Sequence, residues 1–432
     1  MEIPLESAGR RWGLVVVSLA IAAILIPQAC VLWLARNRLN SEEVDVMERG
    51  AELTPGDAAG WDRVGRLRQW DFLHQDVSAA ITDYLKAVHE EPRSAYYWLD
   101  LAGAYEVTGD DVRAADAFAH AKAVYPASSE VAFDYGNFLL RQGEYAPAFE
   151  ELRAAVRADP TLLPLAISRT WRSTGDVNQL VNQVLPANAD AYFQAVDFFA
   201  ASGLMEPALA VWQRLVGLDQ PFDLPRSFPF IDELIHSDRA EDARAVWRGA
   251  LSAAGLPHDD PPNGSLLWNG DFSRNFSNGG LDWRWTDVLG ANFSFDSVPS
   301  GKGSRAVRLD FTGGRNLELA APAQYVAVEP GRSYHFRALM RTDLITTESG
   351  MRFSIVDPNH GGAVATGTDN FTGSHDWTAV ETDLVTPPET HFLLVRLRRN
   401  PSRLFDSKLA GTAWIADVTL LPSGSAAGTT PR

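Results

Sequence analysis

Between Ala95 and Pro160 one pattern of small, aromatic and leucine residues occurs twice, offset by about 34 residues, and it restricts the possible folds more than any other stretch. The first copy reads Trp98, Leu101, Ala102, Tyr105, then Ala114, Phe118, Ala121 and a closing Pro126. The second reads Ala132, Tyr135, Gly136, Leu139, then Ala148, Leu152, Ala155 and Pro160. Each copy is two apolar helix faces joined by a tight turn at Gly109-Asp110 or Gly143-Glu144. Small residues at Ala102, Gly136, Ala114 and Ala148 let the paired backbones approach, while the large ones fill the space between pairs. One such hairpin leaves its apolar face uncovered, so more are expected.

Weaker copies flank these two. Val64, Leu67, Ala80, Tyr84, Ala87 and Pro92 keep the register upstream. After Pro160 the unit is degraded, with Thr170 at a small position and a short second helix ending near Pro186. Tyr192, Ala195, Phe199, Ala208, Trp212 and Leu215 restart the register, and Phe230, Leu234, Ala243, Trp247 and Ala250 continue it. The pattern resembles the tetratricopeptide repeat, which implies an all-α solenoid over residues 41–256, a concave groove lined by the first helix of each pair, and a protein or peptide partner. By the matched register the groove includes Tyr96, Asp100, Glu106, Glu130, Phe133, Asp134, Asn137 and Arg141, a set suited to basic and apolar groups.

Ahead of the repeats, Gly13–Ala35 is an uncharged, largely apolar run long enough to cross a bilayer, with Trp12 and Trp33 near its ends where indole rings favour the interface. A cleaved signal peptide is the rival reading, but its apolar core is normally shorter, and Val31-Leu-Trp-Leu34 runs past any plausible cleavage point. The expectation is an N-terminal tail (1–12), an uncleaved transmembrane helix (13–35), and the bulk of the chain on the periplasmic side of an inner membrane. Arg10 and Arg11 nearly balance Arg36 and Arg38, and the amino terminus tips the count toward a cytoplasmic tail.

The formal net charge of −17 is unevenly placed: residues 41–262 hold 18 Lys+Arg against 36 Asp+Glu, whereas 263–423 hold 15 against 17. An acidic helical part argues against nucleic acid as a partner. Cys30 is the one cysteine, so no intrachain disulfide forms and the redox compartment stays open.

At Pro257 to Gly264 a proline-rich acidic stretch marks a linker (257–265). Beyond it the periodicity becomes two, and Tyr325–Val328, Tyr334–Arg341, Met351–Val356, Thr378–Val385, Phe392–Arg398 and Thr412–Leu420 read as strands of an all-β sandwich (266–421), with 422–432 a disordered tail. Leu267-Trp-Asn-Gly-Asp-Phe272, Trp283, the Pro330-Gly331 turn and Trp414-Ile-Ala-Asp417 resemble a carbohydrate-binding module with a galactose-binding-like jelly roll. That resemblance implies polysaccharide contact and a structural calcium held by Asp271 and Asp417, whose hard oxygens suit the ion. Alternation that buries Tyr334, Phe336, Phe353 and Val395 turns Arg337, Arg341, Arg352, Arg396 and Arg398 outward. Sharing one sheet face, they would take an acidic glycan by fork-like pairing, with Trp283 or Trp285 stacking on a sugar ring.

No GxSxG elbow, HExxH helix or Walker loop is present, and the nine histidines stand singly. The reading is therefore a non-catalytic membrane-anchored adaptor in bacterial exopolysaccharide or cell-envelope assembly. A hydrolytic sandwich on a repeat scaffold and a purely structural protein without sugar binding are the alternatives.

Overall fold

The computed structural model describes residues 8–71, 75–257, 261, 263–297 and 305–423, so part of each expected tail and most of the linker, His258 included, lie outside the described residues. The chain divides into two compact units, Met1–Pro186 and Ala187–Arg432.

The first unit opens with helix α1 (Ala8–Leu39), which runs unbroken through Pro27. Its segment Arg11–Leu39 is long and apolar enough to cross a membrane, a property that membrane anchors and signal sequences share. The last turn is different: Ala35 and Leu39 are buried, and Leu39 joins a core with Met47, Ala51, Trp61, Val64 and Ala87. Gly50 of α2 (Val44–Leu53) makes this possible, since a Cβ there would lie 2.9 Å from Arg38 Cβ and 3.0 Å from the Ala35 carbonyl.

Helical hairpins follow: α3 (Ala58–Trp70) with α4 (Val77–Glu90), α5 (Ala95–Val107) with α6 (Asp111–Val124), α7 (Ser129–Gln142) with α8 (Tyr145–Ala158). Asp76, Asp110 and Ser128 cap α4, α6 and α7 by accepting from the amides of Ala79, Arg113 and Val131. Gly143 closes α7 in the left-handed region. A Cβ on Gly136 would stand 3.1 Å from Leu152 Cγ and 3.2 Å from the Ala148 carbonyl, so the small position is where the hairpin closes. The same close approach marks Gly65, whose Cβ would reach 2.7 Å from the Tyr84 ring.

That contact corrects the upstream register. Trp61 Nε1 donates to the Pro55 carbonyl at 3.0 Å as Trp98 Nε1 donates to Pro92, so Trp61 and Val64, not Val64 and Leu67, correspond to Trp98 and Leu101, and Gly65 corresponds to Ala102. The additional residues fall in the α3–α4 connection. In the degraded unit α9 (Leu163–Thr174) is followed only by α10 (Val177–Gln179), which continues as a π-turn over Leu180–Val184.

The second unit begins with α11 (Ala189–Ala201), α12 (Met205–Val216), α13 (Phe228–His236) and α14 (Ala240–Ala253), joined by an aromatic cluster of Phe193, Trp212, Phe222 and Phe230. The strands are β1 (Ala291–Ser297), β2 (Arg305–Thr312), β3 (Ala323–Ala327), β4 (Ser333–Ile345), β5 (Arg352–Val356), β6 (Ala365–Gly367), β7 (Gly373–Val385), β8 (Phe392–Arg398) and β9 (Ala410–Pro422). They pair antiparallel in a five-stranded sheet, β1-β2-β9-β4-β7, and a four-stranded sheet, β3-β8-β5-β6, around one apolar core.

Within this unit α13 and α14 pack on the sandwich. Arg244 donates to the Ala327 carbonyl on edge strand β3, Arg284 pairs with Asp232, and Asn359 Nδ2 donates to the Ile235 carbonyl at 2.8 Å. Gly280, at φ +57°, leaves room for the Trp247 ring, and Trp247 meets Trp268 edge to face at 6.1 Å. The edge of β3, bonded at Ala323 to the Arg284 backbone, is covered further by these contacts.

Candidate functional site

Two polar faces hold the residues that the sequence singles out. The first lies on α3, α5 and α7. Arg66 Nε reaches Asp62 Oδ2 and Asp100 Oδ2, both at 3.0 Å, and Arg141 Nη2 donates to Glu106 Oε2 at 2.8 Å. These contacts join successive first helices into one ladder. Asp134, half-buried on α7, has no ion pair among the described residues, and Glu130 has none either. Burial, then the charge of Glu130, raises the Asp134 carboxyl to about 6. Asp62 is only 7% exposed, and burial with the facing carboxyl of Asp100 raises it to about 7.

Asn137, one turn from Asp134, is 8% exposed, and its Oδ1 as placed is buried without a hydrogen-bond partner. Tyr96 is half-exposed and Phe133 half-buried on the same helices. Five carboxylates (Asp62, Asp100, Glu106, Glu130, Asp134) thus face two guanidiniums (Arg66, Arg141). Asp62 and Arg66 were not among the groove residues expected from the sequence, all of which lie on α5 and α7. The repeat spacing itself reaches them, since Asp62 and Arg66 lie 34 residues before Tyr96 and Asp100.

On the sandwich the expected single arginine face divides in two. Arg337 and Arg341 project from β4 of the five-stranded sheet, whereas Arg352, Arg396 and Arg398 project from β5 and β8 of the four-stranded sheet. Alternation tells outward from inward but not which sheet a strand joins. Arg337 pairs with Glu381 at 3.0 Å, and Arg341 lies over the Trp414 ring at 4.8 Å. On the other sheet Arg352 and Arg398 stand directly opposite in register, and Arg396 aligns with Ala323 and Ser354. Arg398 pairs with Glu318 at 3.0 Å, Arg352 has no ion pair among the described residues, and Arg396 Nε is buried without an acceptor. Burial, then Arg398, pushes the Arg396 guanidinium below its ordinary range. Beside this row opens a cleft of about 730 Å³ whose lining includes Arg352, Arg398, Asn370 and Arg403. Arg403 sits in a loop where alternation gives no signal.

Trp283 is a core residue, not a sugar platform: it is fully buried between Phe272 and Phe276, and its Nε1 donates to the Asn269 carbonyl. Trp285 is partly exposed and stacked on Phe293 of β1 at 4.9 Å, a strand of the five-stranded sheet. Asp271 and Asp417 come next to each other because Val418 N donates to the Gly270 carbonyl at 2.9 Å. The Asp271 carboxylate accepts from the Ser273 amide at 3.1 Å.

No family model matches the chain, and no curated protein matches it. Among solved structures it is similar to YrrB, described as a TPR protein with an unusual peptide-binding site, at 16% identity over 50% of this chain and 94% of that one, with a TM-score of 0.27. It is also similar to Pseudomonas aeruginosa PilF, at 15% identity over 44% and 90% of the two chains and a TM-score of 0.30. A CBM4 structure is similar at 15% identity over 36% and 99%, with a TM-score of 0.26.

Proposed function

We propose that this protein is a non-catalytic, membrane-anchored adaptor whose helical repeats hold a protein partner and whose sandwich contacts an acidic polysaccharide, in bacterial exopolysaccharide or cell-envelope assembly. The observation that carries the reading is the first-helix face of α3, α5 and α7, where half-buried Asp134 has no ion pair among the described residues and buried Asn137 Oδ1 has no hydrogen-bond partner, although buried polar groups are normally paired. Photo-crosslinking amino acids at Tyr96 and Glu130 are expected to join the chain to one protein in cells, and those at Asp116 and Glu150 on second helices are not. Equal yields from both sets contradict the reading.

The sugar-binding part rests on the four-stranded sheet, where like charges kept directly opposite each other cost stability and suit an anion. Affinity electrophoresis on polygalacturonate and on a neutral glucan tests it, with retardation expected on the first only. A calcium ion beside Asp271 and Asp417 belongs to the same proposal; its loss to a chelator is expected to lower the melting temperature of the sandwich.

For the anchor, the support is that α1 runs unbroken from its apolar segment into Ala35 and Leu39, both buried, with Leu39 in the repeat core. Mass measurement of the membrane-extracted protein is expected to show residues 8–39 retained, and protease added outside the cytoplasmic membrane is expected to digest the sandwich. The purely structural alternative is favoured by one observation, the packing of α13 and α14 on edge strand β3. Absence of binding to every glycan tested would select it.

A further inference from the structure

The acidic face carries more than a general preference for proteins. Its unmatched groups are nearly all acceptors: the Asp134 and Glu130 carboxylates and Asn137 Oδ1 lie on one side of α7, spaced by one helical turn each. The charged groups facing Asp134 are Glu130 and Arg141 on its own helix and Asp100 and Glu106 on α5. Both bases of the ladder are already engaged, Arg141 by Glu106 and Arg66 by Asp62 and Asp100. A ligand group that satisfies this set must therefore supply donors and positive charge.

We infer that this face seats a lysine or arginine side chain of the partner segment, on Asp134 with Glu130 beside it and close to Asn137, and that acidification releases it. The inference rests on the reading that the repeats bind a protein segment, and it adds the chemistry of that segment and a control on its release. Charge complementarity decides for a cationic segment over an acidic one, which would meet five carboxylates. Half-burial of Asp134 strengthens its attraction for a cation and, for the same reason, lets it take a proton near pH 6. Asp62, on the neighbouring helix, takes one near pH 7 and lowers the negative charge of the face further. The sign follows: binding is strongest above neutrality and weakens as protons compete with the cation. For Asp134 alone, moving from pH 8 to pH 5 reduces its charged fraction about tenfold.

The test uses the full chain in detergent micelles and three fluorescent peptides of alternating composition, Lys-Leu, Ser-Leu and Glu-Leu, read by anisotropy at constant ionic strength. The expected result is preferential binding of Lys-Leu at pH 8, weakened about tenfold at pH 5. Asp134→Asn should lose that preference at pH 8 and flatten the pH profile, while Glu130→Gln should weaken binding at pH 8. Circular dichroism establishes that each variant is folded, and the wild-type pH profile is informative without either. Equal binding of Lys-Leu and Ser-Leu overturns the cation seat but leaves the groove reading standing. Binding of none of the three overturns the groove reading itself. A Lys-Leu affinity independent of pH, or unchanged in Asp134→Asn, overturns the assignment to this site. Displacement of Lys-Leu by spermidine at equal concentration overturns a peptide as the occupant in favour of a free polyamine.

Discussion

The repeat face of the first unit and the four-stranded sheet of the second leave opposite chemistry unmatched. On α3, α5 and α7 the surplus is of acceptors, with Asp134 and Asn137 short of donors; on β5 and β8 it is of donors, with Arg396 Nε short of an acceptor. Elsewhere each unit pairs its buried charges closely. Asp83, fully buried between α3 and α4, is met by Arg68 and Lys86, and buried Arg399 donates to the Ser349 carbonyl, Asn316 and Ser407. The contrast teaches where to look: a fold able to satisfy Asp83 and Arg399 has left two surfaces unsatisfied, and perturbed, partnerless polar groups concentrate where ligands bind.

The sharpest way to break this comparison is to cut the matched networks. Arg399→Leu leaves the Ser349, Leu317 and Ser407 carbonyls without their donor, and Arg68→Met leaves Asp83 facing only Lys86. Each is expected to cost about 3–5 kcal/mol in urea unfolding, as loss of one partner from a buried charge network does. Costs under 1 kcal/mol would remove the distinction between paired interior and unpaired face.

A smaller effect of opposite sign is expected at Asp134. Its carboxyl titrates higher in the folded chain, near 6, than in the unfolded chain, so the folded state gains stability as pH falls toward 4 and lacks that gain at pH 8. Asp134→Asn should accordingly stabilise the chain at pH 8, on the order of 1 kcal/mol, and give no advantage at pH 4. Melting curves at the two pH values check both magnitude and sign.

The smallest expected effects separate the two sheets. Arg352→Gln relieves the opposition to Arg398 and is expected to stabilise by a few tenths of a kcal/mol, whereas Arg337→Ala loses an exposed pair with Glu381 and costs about 0.2–1 kcal/mol. Retardation on polygalacturonate should weaken in the first variant and stay unchanged in the second.

How much of this could be read from residues alone follows from what each pattern encodes. The hairpins α5–α6 and α7–α8 were legible because Ala102, Gly136, Ala114 and Ala148 mark close helix approach and leave little freedom in the register. One step upstream the register was lost by three residues in the α3–α4 connection, since loop length leaves no periodic trace. Strands with clean alternation, such as β4 and β8, were legible. The edge strand β1, its neighbour β2 and short β6 were not; exposed edges need no alternating apolar face, although β2 does bury Val307, Leu309 and Phe311 in alternation. Trp283 looked like a platform because aromatic residues serve both cores and sugar sites, and only burial tells the two apart. Sheet membership was the last thing hidden: β4 and β5 are consecutive in sequence yet sit in different sheets.

The central claim is that the chain offers two independent faces of opposite charge, and calorimetric titration of one sample with Lys-Leu peptide and then polygalacturonate tests it most directly. The account requires that both bind, that neither displaces the other, that Asp134→Asn weakens only the peptide and that Arg396→Gln weakens only the polysaccharide. Competition between the two ligands, or a single variant that weakens both while the protein stays folded, would contradict it.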